Sequence, residues 1–323
     1  MRKSTLIALA CISMFTSAHA ASFNCEKASS ALEKTICNDP EISLFDEALA
    51  KSYIDAIGKL SSDGKIILHD GQRRWLHYIT NVCFIYKNDK NARDCTKKMY
   101  QDRIKDLGTA AQQIGPFVFS RIDYFYSKND DEFGRPFQGE TSYPRIDSPL
   151  SENAKKWNAI MADKSKAEGD SWCDGSPGDI NIGFEIKSAT ESIISSQRSN
   201  WMYCHRAAHG YGGTMGVTYV LVPTPHLLVA SDLFYPDKSW ENLLTEKSID
   251  ELERKAATTE INRQQVVSII TNPKSWSLTK EGLVITFNPY EVLAYVFGTT
   301  EVTIPWTELR PFLVPAAPVP VSE

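Results

Sequence analysis

The sequence has no long apolar run beyond its first 20 residues, although it is 323 residues long. A helix that crosses a bilayer needs roughly 18 or more apolar residues in succession, so we expect no membrane span in the mature chain. An excess of basic charge is missing too, because 35 Lys and Arg residues face 40 Asp and Glu residues. Nucleic-acid binding proteins usually have the opposite balance, and we expect no nucleic-acid partner. With 42% hydrophobic and 23% charged residues, the composition excludes a disordered, collagen-like or coiled-coil chain.

The motifs of common enzyme and metal sites are also missing. The chain has no G-x-S-x-G, H-E-x-x-H or phosphate-loop pattern and no C-x-x-C pair. His205, His209 and His226 lack carboxylates at metal-ligand spacing. A thiol nucleophile at Cys204 with a histidine base is a weak alternative, because adjacent strand residues point to opposite faces. We therefore predict a protein that is not an enzyme and has no metal or cofactor.

The first 20 residues have the pattern of a secretory signal peptide. Arg2 and Lys3 precede a short apolar stretch at residues 6–15, and Ala18 and Ala20 form an A-x-A cleavage site. An N-terminal core helix is the alternative. We expect cleavage after Ala20 and a mature protein that is periplasmic or secreted.

In an exported protein we expect the cysteines to form disulfides, because the compartments outside the cytoplasm are oxidising. The mature chain has six cysteines, which allow several pairings that sequence alone does not distinguish. Their order along the chain favours three neighbouring pairs: Cys25 with Cys37, Cys83 with Cys95, and Cys173 with Cys204.

The apolar pattern divides the chain into two regions. Between residue 22 and about 113, apolar residues recur at helical spacing, as in Leu68, Trp75 and Ile79, and Asp39-Pro40 predicts a helix start. After Phe117 the sequence is rich in aromatic and β-branched residues, which favour strands. Strands are predicted at 117–126, 180–186, 217–222, 227–230, 283–287 and 302–304, and helices at 152–167 and 240–270.

These elements predict an α+β fold, because strands and helices do not alternate strictly. We expect a disulfide-stapled helical domain at 21–113 and a mixed α+β domain with an antiparallel-type sheet at 117–312. A proline-rich tail at 313–323 is predicted to be frayed or extended. The two regions also differ in charge. Residues 22–110 have 14 basic and 13 acidic side chains, whereas residues 111–323 have 19 basic and 27 acidic side chains. An acidic surface attracts basic partners, although solubility alone also explains it.

The helical region resembles the LprI-like lysozyme-inhibitor domain. The residues that carry the resemblance are, in order, Phe23-Asn24-Cys25, Glu33-Lys34-Thr35-Ile36-Cys37, Asp39-Pro40-Glu41-Ile42, Gln72-Arg73-Arg74-Trp75-Leu76, Cys83, Cys95 and Tyr100. His77-Tyr78 departs from the family pattern, in which charged residues are commoner. The resemblance implies a helical, disulfide-held domain outside the cytoplasm and identifies no binding residue.

The second region resembles the C-terminal domain of RsiV-type exported proteins, which is also found beside cell-wall-modifying modules. Its matching residues are Ala208-His209-Gly210, Asp232-Leu233-Phe234, Gly282-Leu283-Val284, Pro289-Tyr290-Glu291-Val292 and Val302-Thr303-Ile304-Pro305-Trp306. RsiV-type proteins include membrane-anchored anti-sigma factors that sense lysozyme. Without a membrane span, an anti-sigma role is not expected here. Both families include lysozyme-binding members, so both resemblances imply lysozyme binding. The acidic second region is compatible with this partner, because c-type lysozymes are basic.

Three segments are candidates for binding the partner. The first runs from Asn288 to Gly298, and the second from His205 to Gly213. The third is the acidic loop Asp130, Asp131 and Glu132, for which a solvated turn is the alternative. Tyrosine suits an interface because it offers a large contact area at low entropic cost, although packing into the core is the alternative. The candidate residues are Pro289, Tyr290, Tyr295, Phe297, His205, His209 and Tyr211. We predict an inhibitor of c-type lysozyme; the alternatives are a module that binds peptidoglycan or another envelope component, and an unrecognised hydrolase.

Overall fold

A computed structural model describes residues 21–84, 89–129, 134, 136–166, 173, 178–256 and 260–320. The predicted signal peptide and the acidic loop Asp130, Asp131 and Glu132 lie outside these ranges. No helix within them has both the length and the apolar character that a membrane crossing requires.

The first part of the described chain is helical. It contains α1 (Ala31–Asn38), α2 (Pro40–Gly58), α3 (Ser62–Cys83) and α4 (Asp89–Gly108). Helix α2 begins at the predicted Asp39-Pro40 signal, where Asp39 Oδ1 accepts hydrogen bonds from the N–H groups of Glu41 (2.9 Å) and Ile42 (3.2 Å). Buried Trp75 and Tyr100 meet edge to face, with ring centroids 5.2 Å apart. The predicted helical, disulfide-stapled domain is confirmed, although its helices end at Gly108.

Three disulfides join neighbouring cysteines. Cys25 is bonded to Cys37, Cys83 to Cys95, and Cys173 to Cys204. The first bond holds the residues before α1 against the end of that helix, and the second joins α3 to α4. The predicted pairs are therefore present. A set of disulfides of this kind is typical of an exported protein.

The second part is built on a mixed sheet. Within the described residues, its strands are β1 (Ala111–Ile114), β2 (Phe117–Lys128), β3 (Phe137–Ser148), β4 (Gly178–Ala189), β5 (Ile193–Cys204), β6 (Tyr211–Val220) and β7 (His226–Leu227), which lie side by side in chain order. All neighbours are antiparallel except β3 and β4, which are parallel. Helix α5 (Glu152–Lys166) lies between these two strands in sequence and buries Trp157 against the sheet. The predicted antiparallel-type sheet therefore includes one parallel pair.

A smaller unit packs on the same sheet. Its strands β8 (Trp276–Leu278), β9 (Gly282–Phe287) and β10 (Thr300–Pro305) are antiparallel, and α6 (Ala230–Leu233), α7 (Ser239–Lys255), α8 (Arg263–Ile270) and α9 (Trp306–Leu309) accompany them. Buried serines join the two sheets: Ser188 Oγ donates to Leu278 O (2.6 Å), and Leu278 N donates to Ser195 Oγ (2.8 Å). Gly216 permits this close approach, since a Cβ there would lie 1.8 Å from Trp276 O.

Several predicted boundaries differ from the structure. The helix predicted at 240–270 is two helices, α7 and α8, and the strand predicted at 227–230 is only β7 followed by α6. Residues 111–113, predicted as part of the helical domain, belong to β1 because they pair with β2. The proline-rich tail is not frayed as far as Pro320: Val314 N donates to Leu233 O (2.8 Å), and Val319 packs on the core.

Buried charges join the helical part to the sheet. Arg103 of α4 donates through Nη1 to Asp123 Oδ2 of β2 at 2.6 Å, and these side chains are only 1% and 3% exposed. Arg121 reaches the same carboxylate at 2.5 Å and Asp106 at 3.1 Å. Burial opposes the ionisation of Asp123, but Arg121 and Arg103 outweigh it and keep the pKa of this carboxyl below its usual value. The two parts therefore share one ionic network.

Glu140 lies in the same contact region, on β3. Burial raises the pKa of Glu140 to about 7, the charge of Asp106 adds to the rise, and a hydrogen bond with Tyr78 opposes it. Tyr78 itself stacks on Phe125 of β2, with centroids 5.3 Å apart. Glu140 is thus a partly buried carboxyl that is more easily protonated in the folded chain than in the unfolded one.

The Cys83–Cys95 bond should contribute to stability mainly by restricting the unfolded chain. We expect the double substitution Cys83→Ala, Cys95→Ala to lower the free energy of unfolding by about 2–4 kcal/mol, as measured by urea denaturation of oxidised protein. Removing both thiols avoids a free cysteine in the variant. An unchanged midpoint would show that this bond does not stabilise the fold.

Glu140 should make stability fall as pH rises. Between pH 4.5, the usual value, and about 7, the unfolded chain has lost this proton while the folded chain retains it, so the free energy of unfolding decreases over that window. Glu140→Gln keeps a hydrogen-bonding side chain without the charge. The difference in free energy of unfolding, variant minus wild type, should increase by about 2 kcal/mol from pH 5 to pH 8, as measured by urea denaturation. A difference that is the same at both pH values would contradict this assignment.

Candidate functional site

Three of the predicted residues form an exposed aromatic cluster. Tyr290 and Tyr295 stack with ring centroids 5.5 Å apart, and the ring centroid of His209 lies 5.3 Å from that of Tyr295. Tyr290 is 65% exposed and Tyr295 is 43% exposed, so neither completes the core. The structure thus brings two of the predicted segments together at one surface.

Asn288 holds the loop that carries these tyrosines. Its side-chain Oδ1 accepts a hydrogen bond from Thr214 N (2.7 Å), and its Nδ2 donates to Thr214 O (3.1 Å). The side-chain amide thus pairs with the backbone of β6 as the backbone of a neighbouring strand would. Its backbone N–H donates to Glu291 Oε2 at 2.7 Å. Tyr290 then adopts φ +69°, the left-handed region that disfavours bulky side chains. The loop geometry therefore displays Tyr290 at some conformational cost.

A groove of about 370 Å³ lies beside the cluster. Strand β5 contributes Ser199, Asn200 and Trp201, and the loop contributes Tyr295 and Val296. Trp201 is 45% exposed and stacks on Tyr203 with ring planes 15° apart. Gly210 lies under the indole: a Cβ at this position would be 2.7 Å from Trp201 Cζ2.

The other predicted residues have different positions. Tyr211 is exposed at the start of β6, and Pro289 lines the groove. His205 is not at the surface: it is 7% exposed, and its Nε2 lies 3.2 Å from Asp179 Oδ1. Phe297 is partly buried against the C-terminal core. The positions of these two residues are set by packing, so they lie outside the exposed cluster, and their predicted contact with a partner stays a prediction.

Trp201 is a residue that the sequence analysis missed. Its strand, β5, is rich in serine and does not have the apolar alternation of a typical buried strand. A signal is nevertheless present, because Trp201 and Tyr203 are two residues apart and so share one face of a strand.

The structure removes the basis for a catalytic thiol at Cys204. Cys204 is bonded to Cys173, so no thiol is available beside His205. Among the described residues, no group of three or more His, Cys, Asp or Glu side chains is arranged to hold a metal ion.

A second concave surface lies between α3 and β2. This cleft has a volume of about 640 Å³, and α3 lines it with Asp70, Arg73, Arg74 and His77. Arg74 donates to Asp123 O (2.9 Å) and lies over the Tyr124 ring, 5.4 Å from its centroid. Arg73 is exposed and, within the described part of the chain, forms no hydrogen bond or ion pair.

The strain at Tyr290 predicts a difference between two substitutions. Both Tyr290→Ala and Tyr290→Gly remove the ring, but only glycine adopts φ +69° without penalty. We expect the glycine variant to be about 1 kcal/mol more stable than the alanine variant in urea denaturation, and the alanine variant to lose little relative to the wild type. An alanine variant that is as stable as the glycine variant would contradict this account of the loop.

Comparison with known proteins gives two family matches. Residues 25–107 match the family model described as lysozyme inhibitor LprI, and residues 231–307 match the model described as protein of unknown function (DUF3298). The first match spans the disulfides Cys25–Cys37 and Cys83–Cys95. The second lies in the region that resembles RsiV-type proteins and is compatible with that resemblance. A search of curated proteins returned no match.

Solved structures similar to this chain include a DUF3298 family protein from Pseudomonas aeruginosa, with 13% identity, a TM-score of 0.49, and coverage of 64% of this chain and 98% of the other. A DUF3298 family member from Bacteroides fragilis has 14% identity, a TM-score of 0.41, and coverage of 63% and 96%. The chain is thus similar to the lysozyme inhibitor LprI in its helical part and to the DUF3298 family near its C-terminal end.

Proposed function

We propose that this protein is an exported, non-enzymatic inhibitor of c-type lysozyme that protects peptidoglycan in the periplasm or outside the cell. The match of residues 25–107 to the lysozyme inhibitor LprI is the observation that carries the proposal. The three disulfides support export.

A rigid helical surface suits an inhibitor. Two disulfides hold the helices, and the Arg103–Asp123 pair fixes α4 on the sheet. A surface that is already ordered loses less conformational entropy when a partner binds. The helical part therefore has the preorganisation that tight occlusion of an enzyme cleft needs.

The exposed face of α3, which extends into the cleft beside β2, is the surface that we assign to lysozyme. Ile66 and Leu76 are 62% and 41% exposed there, and Arg73 and His77 are exposed beside them. A glycosidase such as lysozyme uses a pair of carboxyl groups in its cleft. A guanidinium recognises a carboxylate with charge-assisted hydrogen bonds, so Arg73 complements this site.

Charge on the remainder of the chain favours the encounter. Residues 111–323 carry 19 basic and 27 acidic side chains, which attract a basic protein such as c-type lysozyme. Long-range attraction of this kind raises the association rate more than it slows dissociation. Association should therefore become slower as salt is added.

The direct experiment is a titration of oxidised residues 21–323 into c-type lysozyme, with heat and lysis of cell walls recorded together. The proposal predicts saturable binding and a parallel loss of lysis. Absence of binding at micromolar concentrations would overturn it. Lysis lost without binding to the enzyme would place the effect on the cell-wall substrate and also overturn it.

Arg73→Glu tests the assigned surface. We expect this change to weaken lysozyme binding about tenfold or more, because it removes an interfacial cation and introduces a repelling charge. Arg310→Glu is the matched control, since Arg310 is also exposed, lies in the other part of the chain, and its loss changes the net charge equally. Equal weakening by both substitutions would show that only overall charge matters and that α3 is not the contact surface.

A further inference from the structure

The aromatic groove opens where the small sheet ends on the large one. Gln197 of β5 is still covered, and its Nε2 donates to Thr286 Oγ1 (3.2 Å) and Glu301 Oε1 (2.6 Å). Ser199 and Trp201 follow on the same face of the strand and line the open groove. The groove therefore lies between the large sheet, at β5 and β6, and the loop from 289 to 299, and its volume of about 370 Å³ is in the usual range for a small-molecule site.

The lining combines ring faces with neutral polar groups. Trp201 and Tyr295 supply the aromatic surface, and Ser199, Thr214 and Thr299 supply hydroxyl groups. Among the described residues that line the groove, none is Lys, Arg, Asp or Glu. This chemistry does not suit a phosphate or another anion, which would require cations.

We propose that this groove binds a neutral pyranose oligosaccharide. A pyranose ring has an apolar C–H face and a rim of hydroxyl groups, so one ligand satisfies both kinds of lining residue. The C–H face lies against an aromatic ring, and the hydroxyls of the sugar exchange hydrogen bonds with the hydroxyl side chains. The assignment does not depend on lysozyme inhibition, which concerns the helical part.

The groove is held ready for a ligand. Asn288 fixes the loop on β6 through two hydrogen bonds to the backbone of Thr214. Gly210 allows the chain to pass close to Trp201, and Tyr203 stacks on that indole. Rigid aromatic side chains lose little conformational entropy when a ligand binds. This small entropic cost helps a site to bind sugars, whose individual contacts are weak.

The test is calorimetric titration of residues 21–323 with chitohexaose and with cellohexaose, in the absence of lysozyme. We expect saturable binding that weakens about tenfold in Trp201→Ala and in Tyr295→Ala, a loss typical of one stacked ring. Tyr235→Ala is the matched control, because Tyr235 is 42% exposed but does not line the groove. Melting temperatures of all variants verify folding, and two separate groove variants keep the test valid if one of them unfolds.

Each outcome decides the assignment. Binding of both oligosaccharides supports a site that recognises the C–H faces of the pyranose rings. Preference for chitohexaose supports a site that also contacts the acetamido group. The proposal is wrong if neither sugar binds at millimolar concentration, or if folded groove variants bind as the wild type does. It is also wrong if the two variants lose lysozyme binding while the wild type binds no sugar, because the groove would then be a protein contact.

Discussion

The ion pair between Arg103 and Asp123 is the interaction on which the arrangement of the molecule depends. Its partners come from α4 and β2, lie 2.6 Å apart and are almost completely buried. Replacement of one partner, with the other left buried, typically costs about 3–5 kcal/mol. Arg121 adds a second cation to the same carboxylate. The helices and the sheet are therefore held in one orientation.

That orientation separates the two proposed binding surfaces. Helix α3 packs its inner side on β2, for example through Tyr78 on Phe125, and its outer side with Arg73 and Leu76 stays exposed. The aromatic groove is formed on β5 and β6, and β3 and β4 lie between it and β2. A protein on α3 and a sugar in the groove thus occupy different parts of the chain. An inhibitor that also binds envelope glycan would be retained where lysozyme attacks.

Sequence reasoning recovers the parts of the fold that local chemistry determines. Asp39-Pro40 begins α2 as predicted, because the carboxylate caps the helix and proline fits its first turn. The neighbouring cysteines pair as their order suggests. In contrast, β5 was not recognised, since Ser195 and Ser196 are buried through hydrogen bonds to other strands and not through apolar packing. Tertiary contacts that are distant in sequence determine such a strand.

The candidate site shows the same division. The exposure of Tyr290 and Tyr295 agrees with the expected turn after Asn288-Pro289, which is a local feature. The burial of His205 depends on Asp179, 26 residues earlier in the chain, and the position of Trp201 depends on where the small sheet ends. Neither position follows from residue type, and the spacing of Trp201 and Tyr203 indicates only that the two side chains share one face of a strand. The exposed face of α3 similarly became visible only once its contact with β2 was known.

Hydrogen exchange of oxidised residues 21–323, with and without a saturating amount of c-type lysozyme, tests the central claim most directly. The account predicts slower exchange in α3 on binding, and little change in the loop from 288 to 298. Slower exchange confined to that loop, with α3 unchanged, would contradict the assignment of lysozyme to the helical part.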